Sequence, residues 1–345
     1  MDFRHKRIII WGWPLYGDTF GYIFHGLYRG FKELGVEVHW VDPSQRWSYA
    51  DIGGNLHLED SLIIGEVHGN HPHNNLPKVD SSTYLIHNVG NKPGGPMDYG
   101  GPTNYLGKVR RFIDWRCCPM YCWDDSIYTF EMNDDQMPWI GPGSRFEKSS
   151  AIENYDKLYT CWATNLLPSE INFDDRFIKR ERVSWWVGNI GGGRGGLDDC
   201  NDSAPHGDNR PVLREFKRAC EESNIEFKSN CPWENPLSFD QQKDLAQKSW
   251  VVPDFRHPWM LKWGYIPCRV MKNISYGQVG ATNSRGVYEF FDGNVVFNED
   301  PYQLFFDCQE KMNDMDFILS QMKMVKDKHT YVNRCRSIIE AVNES

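Results

Sequence analysis

Arg7-Ile-Ile-Ile-Trp11 is followed by the loop Gly12-Trp-Pro-Leu-Tyr-Gly-Asp-Thr19. An apolar series at Phe20, Ile23, Phe24, Leu27, Phe31 and Leu34 comes next, then Gly35 and Val36-Glu-Val-His-Trp-Val41. The first run is continuously apolar, as a parallel strand covered on both faces must be. The series recurs at helical spacing, and Gly35 can take the left-handed conformation that ends a helix. The last run alternates briefly and stops at Asp42-Pro43. Strand, helix, strand in this order predicts a βαβ unit, and hence a parallel sheet with helices on its faces.

Outward from this opening the same alternation continues. Ser61-Leu-Ile-Ile-Gly-Glu-Val67, Thr83-Tyr-Leu-Ile-His87 and Lys157-Leu-Tyr-Thr-Cys-Trp162 read as further strands. The stretch Gly90–Gly107 is rich in Gly, Pro and Asn and reads as a long loop. A second series begins with the strand Val183-Ser-Trp-Trp-Val187, a helix over Pro211–Ser223 and a short strand Ile225-Glu-Phe-Lys228. Ser238-Phe-Asp-Gln241 fits a capping box. Trp250-Val-Val-Pro253 predicts a buried strand, Gln278–Thr282 another, Asp300 caps a helix starting at Pro301, and Phe317–Val342 reads as helical. A chain of 345 residues exceeds the size at which single cores stop growing. The expectation is α/β, with two Rossmann-like domains facing a cleft. Residues 1–170 form the N-terminal domain, 171–325 the C-terminal domain, and 326–345 a helix packing back on the first.

Two motifs in the second half carry chemistry. Gly264-Tyr-Ile-Pro-Cys-Arg-Val-Met-Lys-Asn-Ile-Ser-Tyr-Gly-Gln-Val-Gly-Ala-Thr-Asn-Ser284 has Pro267 at a helix start and Gly277 at its end. Between them Arg269, Lys272, Asn273 and Tyr276 fall at i, i+3, i+4 and i+7 and share one face, while Val270 and Ile274 occupy another. Two cations, an amide and a phenol near a helix N-terminus suit an anion, with a phosphate-bearing small molecule the natural candidate. Upstream, Gly188-Asn-Ile-Gly-Gly-Gly-Arg194 follows a strand directly. Gly188 and Asn189 can bring backbone and amide groups close to a phosphate, and Arg194 can add a charged contact. No helix follows at once, so this is neither a P-loop nor a dinucleotide fingerprint. The spacing of Trp11-Gly-Trp-Pro-Leu-Tyr-Gly17 likewise departs from that fingerprint.

Composition bounds the rest. A net charge of -9 argues against a whole-surface nucleic-acid binder. The ten cysteines show no paired metal-type spacing and read as reduced thiols. His68, His71 and His73 near Glu66 lie among Asn residues and Pro72, a polar loop more than a metal centre. There is no signal peptide and no apolar run of ~20 residues, so a cytoplasmic protein without a membrane span is expected.

The order of these elements resembles that of the GT-B glycosyltransferases. The resemblance runs along nearly the whole chain, as a pattern with loose motifs. Trp185-Trp-Val-Gly188 matches the strand and glycine that open the nucleotide-sugar half of many members, and the helix before Gly277 matches one that carries phosphate or ribose contacts. Phage DNA glucosyltransferases have a similar layout. The resemblance implies transfer of a sugar from a nucleotide-diphosphate donor, such as a UDP- or GDP-sugar, to an acceptor hydroxyl, in the synthesis of a glycan. It implies no required cofactor or metal, and it sets the donor contacts at Gly188, Asn189, Arg194, Arg256, Arg269, Lys272, Asn273 and Tyr276, with Trp233 stacking on the base. Many members carry Glu where this chain has Lys272, so the ribose contact falls to Asn273 or to a later residue such as Glu289. The N-terminal half would hold a carbohydrate acceptor. An inverting reaction needs a general base there, for which Asp18, Glu66 and His87 are the candidates. A retaining reaction does not. A DNA-modifying glucosyltransferase is the alternative, with Lys108, Arg110, Arg111 and Arg116 as its basic face. A carbohydrate-binding protein of the same fold without activity is another.

Overall fold

The computed structural model describes residues 2–13, 15, 19–41, 56–67, 78–88, 109–116, 144–148, 155–188, 190, 197, 208–230, 235–257, 261 and 265–345. The chain forms two compact units, Met1–Leu167 with Thr330–Ser345, and Pro168–His329.

In the first unit, β1 (Arg7–Trp11), β2 (Val38–Val41), β3 (Ser61–Val67), β4 (Thr83–Asn88), β5 (Arg111–Arg116), β6 (Ser144–Glu147) and β7 (Tyr155–Thr160) make one sheet. Its order is β2-β1-β3-β4-β5-β7-β6, parallel throughout except for β6. Ile8, Ile9 and Ile10 are wholly buried, which accounts for the unbroken apolar run. One face packs Ile9, Trp11, Ile63, Tyr84, Ile86 and Phe112 with Leu56 and Leu58. Helix α1 (Thr19–Glu33) buries Phe24, Leu27 and Phe31, and Gly35 follows it at φ 72°.

β5 has no counterpart in the sequence reading. Its segment Arg-Phe-Ile-Asp-Trp-Arg has an arginine at each end and a fully buried Asp114 in the middle. That charge pattern hides a central strand inside what reads as a basic patch. Short β6 escaped for a similar reason, since Ser144-Arg-Phe-Glu147 is polar and partly exposed.

In the second unit, β8 (Val183–Val187) pairs in parallel with β9 (Glu226–Asn230), and β10 (Ala281–Thr282) with β11 (Val296–Phe297). The extended segment 250–254 bridges them. The Trp250 N–H donates to Val183 O (2.7 Å), and the Asp254 N–H donates to Ala281 O (2.9 Å). Pro253 has no N–H to give, which interrupts a regular ladder here. The resulting order is β9, β8, 250–254, β10, β11, a doubly wound arrangement in which the order of strands along the chain reverses between β8 and 250–254. Helices α2 (Arg210–Glu222), α3 (Phe239–Lys248), α4 (Cys268–Ser275), α5 (Arg285–Phe290), α6 (Pro301–Lys311) and α7 (Met315–Lys328) fill the connections.

Several caps form as the sequence indicates. Ser238 and Gln241 exchange both capping-box hydrogen bonds ahead of α3, at 3.2 and 2.8 Å. Asp300 accepts from the Tyr302 N–H at 2.9 Å. The stretch Phe317–Val342 is helical but not one helix. It breaks at His329–Thr330, where Thr330 and Asn333 cap a new helix, α8 (Tyr331–Glu344). This last helix belongs to the first unit and lies against α1. The fit requires two glycines: a Cβ on Gly26 would fall 2.2 Å from the Tyr331 ring, and one on Gly30 2.9 Å from the Tyr331 carbonyl oxygen. Buried Arg334 fastens the helix further, donating to Cys161 O (3.0 Å) and Trp162 O (3.4 Å).

Among the described residues no helix is long and apolar enough to cross a membrane, and no group of three or more His, Cys, Asp or Glu could hold a metal ion.

Candidate anion site of the second unit

The C-terminal ends of β8 and of segment 250–254 flank the reversal point, where open α/β sheets take their ligands. Trp186, near the end of β8, is buried and stacked on Phe255 with ring centroids 6.2 Å apart and planes 24° apart. Phe255 in turn meets Phe216 edge-on at 4.9 Å. On the free face of this aromatic column lies Arg269, its guanidinium carbon 3.8 Å from the Trp186 ring centroid. Its Nε donates to Val187 O at 3.2 Å. Gly188 leaves room for the tip, because a Cβ there would sit 2.0 Å from Nη2.

Arg269 reaches this position from the first turn of α4. Pro267 precedes that turn as its N-cap, one place earlier than the first-turn position expected for it. Gly277 ends the helix at φ 86°; its N–H donates to Ile274 O (3.0 Å) and the Gln278 N–H to Asn273 O (3.0 Å), a Schellman pair.

Below the guanidinium is a buried charge cluster. Asp254 is wholly buried; its Oδ1 lies 2.6 Å from Arg256 Nη2 and 3.6 Å from Arg269 Nη1. Arg256 is also buried, donates from Nη1 to Phe255 O (2.9 Å) and has its backbone tied to the Asn283 side chain on both sides, at 2.8 and 2.9 Å. Asp254 Oδ2 and Arg269 Nη1 are buried without a hydrogen-bond partner among the described residues. Burial, then the charge of Arg256, pushes the Arg269 guanidinium down to about 10, with Asp254 acting in the opposite direction. It stays charged at neutral pH. Burial raises the Asp254 carboxyl, against the pull of Arg256 and Arg269. Two guanidiniums and one carboxylate leave a net positive charge facing the sheet end, with a planar donor edge suited to phosphate.

The helix face expected to act as a set divides. Asn273 is buried and its Nδ2 donates to Val252 O at 2.7 Å, so its amide is spent tying α4 to the sheet. Tyr276 is the C-cap and is also buried, in the core. Lys272 lies one turn after Arg269 and is only partly buried. Gly188, Arg256 and Arg269 therefore come together. Asn189, Arg194 and Trp233 lie outside the described residues. Asp254 was missed: its signal was an acid at the end of an apolar strand, two residues before an arginine on the same side of an extended chain.

In the first unit, Glu66 and His87 end neighbouring strands in direct register and share a face. Both are almost fully buried, and the His87 ring lies 5.3 Å from Trp115 and 5.6 Å from Trp162. Asp18, Lys108 and the three loop histidines lie outside the described residues. Arg110 and Arg111 stand at the opening of β5, the sheet edge opposite to Glu66 and His87, while Arg116 closes that strand.

No family model matches the sequence, and no curated protein matches it. Among solved structures, the chain is similar to an alpha-glucosyltransferase in complex with UDP-glucose and DNA containing an abasic site. The TM-score is 0.53 at 10% identity, over 97% of this chain and 99% of that one. The fold is GT-B-like. A trehalose-phosphate synthase (UDP-forming) from Burkholderia vietnamiensis aligns at a TM-score of 0.39 and 8% identity, over 93% of this chain and 86% of that one, too remote to argue from.

Proposed function

We propose that the chain is a glycosyltransferase that takes its sugar from a nucleoside-diphosphate donor. The observation that carries this reading is Arg269, held over Trp186 at the reversal point of the second sheet, still partly exposed and with Nη1 lacking a hydrogen-bond partner among the described residues. A departing diphosphate needs positive charge where its own negative charge develops, and a preorganised guanidinium supplies it. Arg256 and Lys272 add to the field, and Asn189 and Arg194 are proposed as further phosphate contacts, with Trp233 stacking on the base. Glu66 and His87, with Asp18, are the acids and base available in the first unit for activating an acceptor.

Two acceptors compete. The sequence reading favours a carbohydrate hydroxyl. The whole-length likeness to a glucosyltransferase solved with DNA favours DNA, and this second reading has the more specific support. Such a DNA would have to offer a hydroxyl on its bases.

Thermal denaturation against UDP, GDP and their sugars tests the donor, since a ligand bound only by the native state raises the melting point, adding about 2.7 kcal/mol of stability at a hundred times its Kd. Labelled sugar from the stabilising donor is then offered to oligosaccharides and to hydroxymethylated DNA. Label in DNA, with binding that weakens steeply with salt, selects the second reading. Stabilisation without transfer or donor hydrolysis would reduce the protein to a binder, and no stabilisation by any nucleotide would remove the donor site.

A further inference from the structure

We infer that Asp254 is a positioning residue: its carboxylate sits between the two guanidiniums, holding Arg256 permanently and steering Arg269 only until a phosphate takes it over. The inference rests on the donor-site reading above. Two guanidiniums placed around one point repel each other, and an anion between them offsets that repulsion. Asp254 supplies that anion from inside the protein.

The geometry is unequal in a telling way. Oδ1 is at short charge-assisted distance from Arg256, 2.6 Å, but at 3.6 Å from Arg269, beyond hydrogen-bond range. Arg256 has a second anchor at Phe255 O and a fixed backbone through Asn283. Arg269 is instead held by the Trp186 face and a single Nε bond to Val187 O, and its Nη1 has no hydrogen-bond partner among the described residues. The carboxylate thus grips one arginine and only steers the other. An incoming phosphate can take Arg269 without breaking the Asp254–Arg256 pair. Its cost is that the resident carboxylate repels the incoming anion.

Inorganic pyrophosphate is the probe, titrated calorimetrically into the full chain as wild type, Asp254→Asn and Arg269→Ala. Asparagine keeps the shape and an acceptor oxygen but removes the repelling charge. Asp254→Asn is expected to bind pyrophosphate about tenfold more tightly, the scale of one charge at this range. A merely structural role would predict weaker binding. Unchanged or weaker binding in Asp254→Asn, with wild-type uptake intact, overturns this inference alone. Wild type that takes up no pyrophosphate overturns the donor-site reading, and this inference with it. A measurement on the wild type covers the case in which Asp254→Asn fails to fold. The Nε–H resonance of Arg269, assigned by loss in Arg269→Lys, should shift with pyrophosphate while that of Arg256 stays. Equal shifts of both would overturn the division of labour.

Discussion

A guanidinium lying flat on an indole keeps its charge and loses most of its rotational freedom, so its donor edge points in one direction before any ligand arrives. That is the state of Arg269. Replacing it by alanine leaves Asp254 still paired with Arg256, so the fold should survive. Turnover on the true donor is expected to fall about 100-fold or more, roughly 3 kcal/mol of transition-state stabilisation. Steady-state kinetics beside a melting curve checks this, and wild-type turnover would remove Arg269 from the chemistry. Gly188→Ala acts on the same atom from the other side. A methyl group at 2.0 Å from Nη2 must push the flexible tip away, and φ at Gly188 is 156°, where a side chain is strained, so a loss of about tenfold in kcat/KM is expected together with a lower Tm. The helical spacing exposed Arg269 in the sequence. It could not separate Arg269 from Asn273 and Tyr276, because spacing says which residues share a face and not which neighbour that face meets.

Among the elements, the contact of α1 with α8 depends most on single atoms. Gly26 and Gly30 are one turn apart on α1 and let the Tyr331 ring and backbone approach closely. The Tyr331 carbonyl cannot rotate away as a side chain can, so Gly30→Val should cost about 1–3 kcal/mol in urea denaturation. Another test concerns the start of β1. His5 is buried, its Nε2 2.8 Å from Thr83 Oγ1 and its Nδ1 3.3 Å from Asp60 Oδ1. Burial above all, helped by Arg4 and Arg111 and opposed by Asp60, lowers its pKa below 6.5. The unfolded chain therefore takes up this proton first. His5 costs no stability above pH 6.5, and stability is lost as pH falls from 6.5 toward the lowered value. The urea midpoint should drop over that window, and His5→Gln should flatten the drop. A parallel decline in both proteins would clear His5. Elements whose apolar pattern is unmixed, such as β1, β3 and β8, were legible in the sequence. β5 was not, because Arg111, Asp114 and Arg116 mask a strand that is central in the sheet. Segment 250–254 was legible as buried, while its ladder depends on a bridge to Thr282 that no local pattern announces.

At the scale of the molecule, the second unit is continuous in sequence and has its own sheet, caps and charge cluster. Residues 168–329 alone should unfold cooperatively and still bind pyrophosphate. Loss of cooperativity in that fragment would mean that its core depends on the rest of the chain. The βαβ opening and the helix–strand alternation made the two-unit α/β plan readable, because a parallel sheet leaves few other solutions. The contact of the final helix is marked in the sequence only by Gly26 and Gly30 of α1, one turn apart, which permit a close approach without specifying the element that makes it. That partnership has a consequence for synthesis. A ribosome releases the strands of the first unit early, yet α8, which covers Gly26 and Gly30, follows about 160 residues later. At ordinary elongation rates this is a wait of roughly 10–30 s. During it the nascent sheet carries an uncovered helix groove while the later-made unit can already close. The part of the protein made first is thus the part finished last.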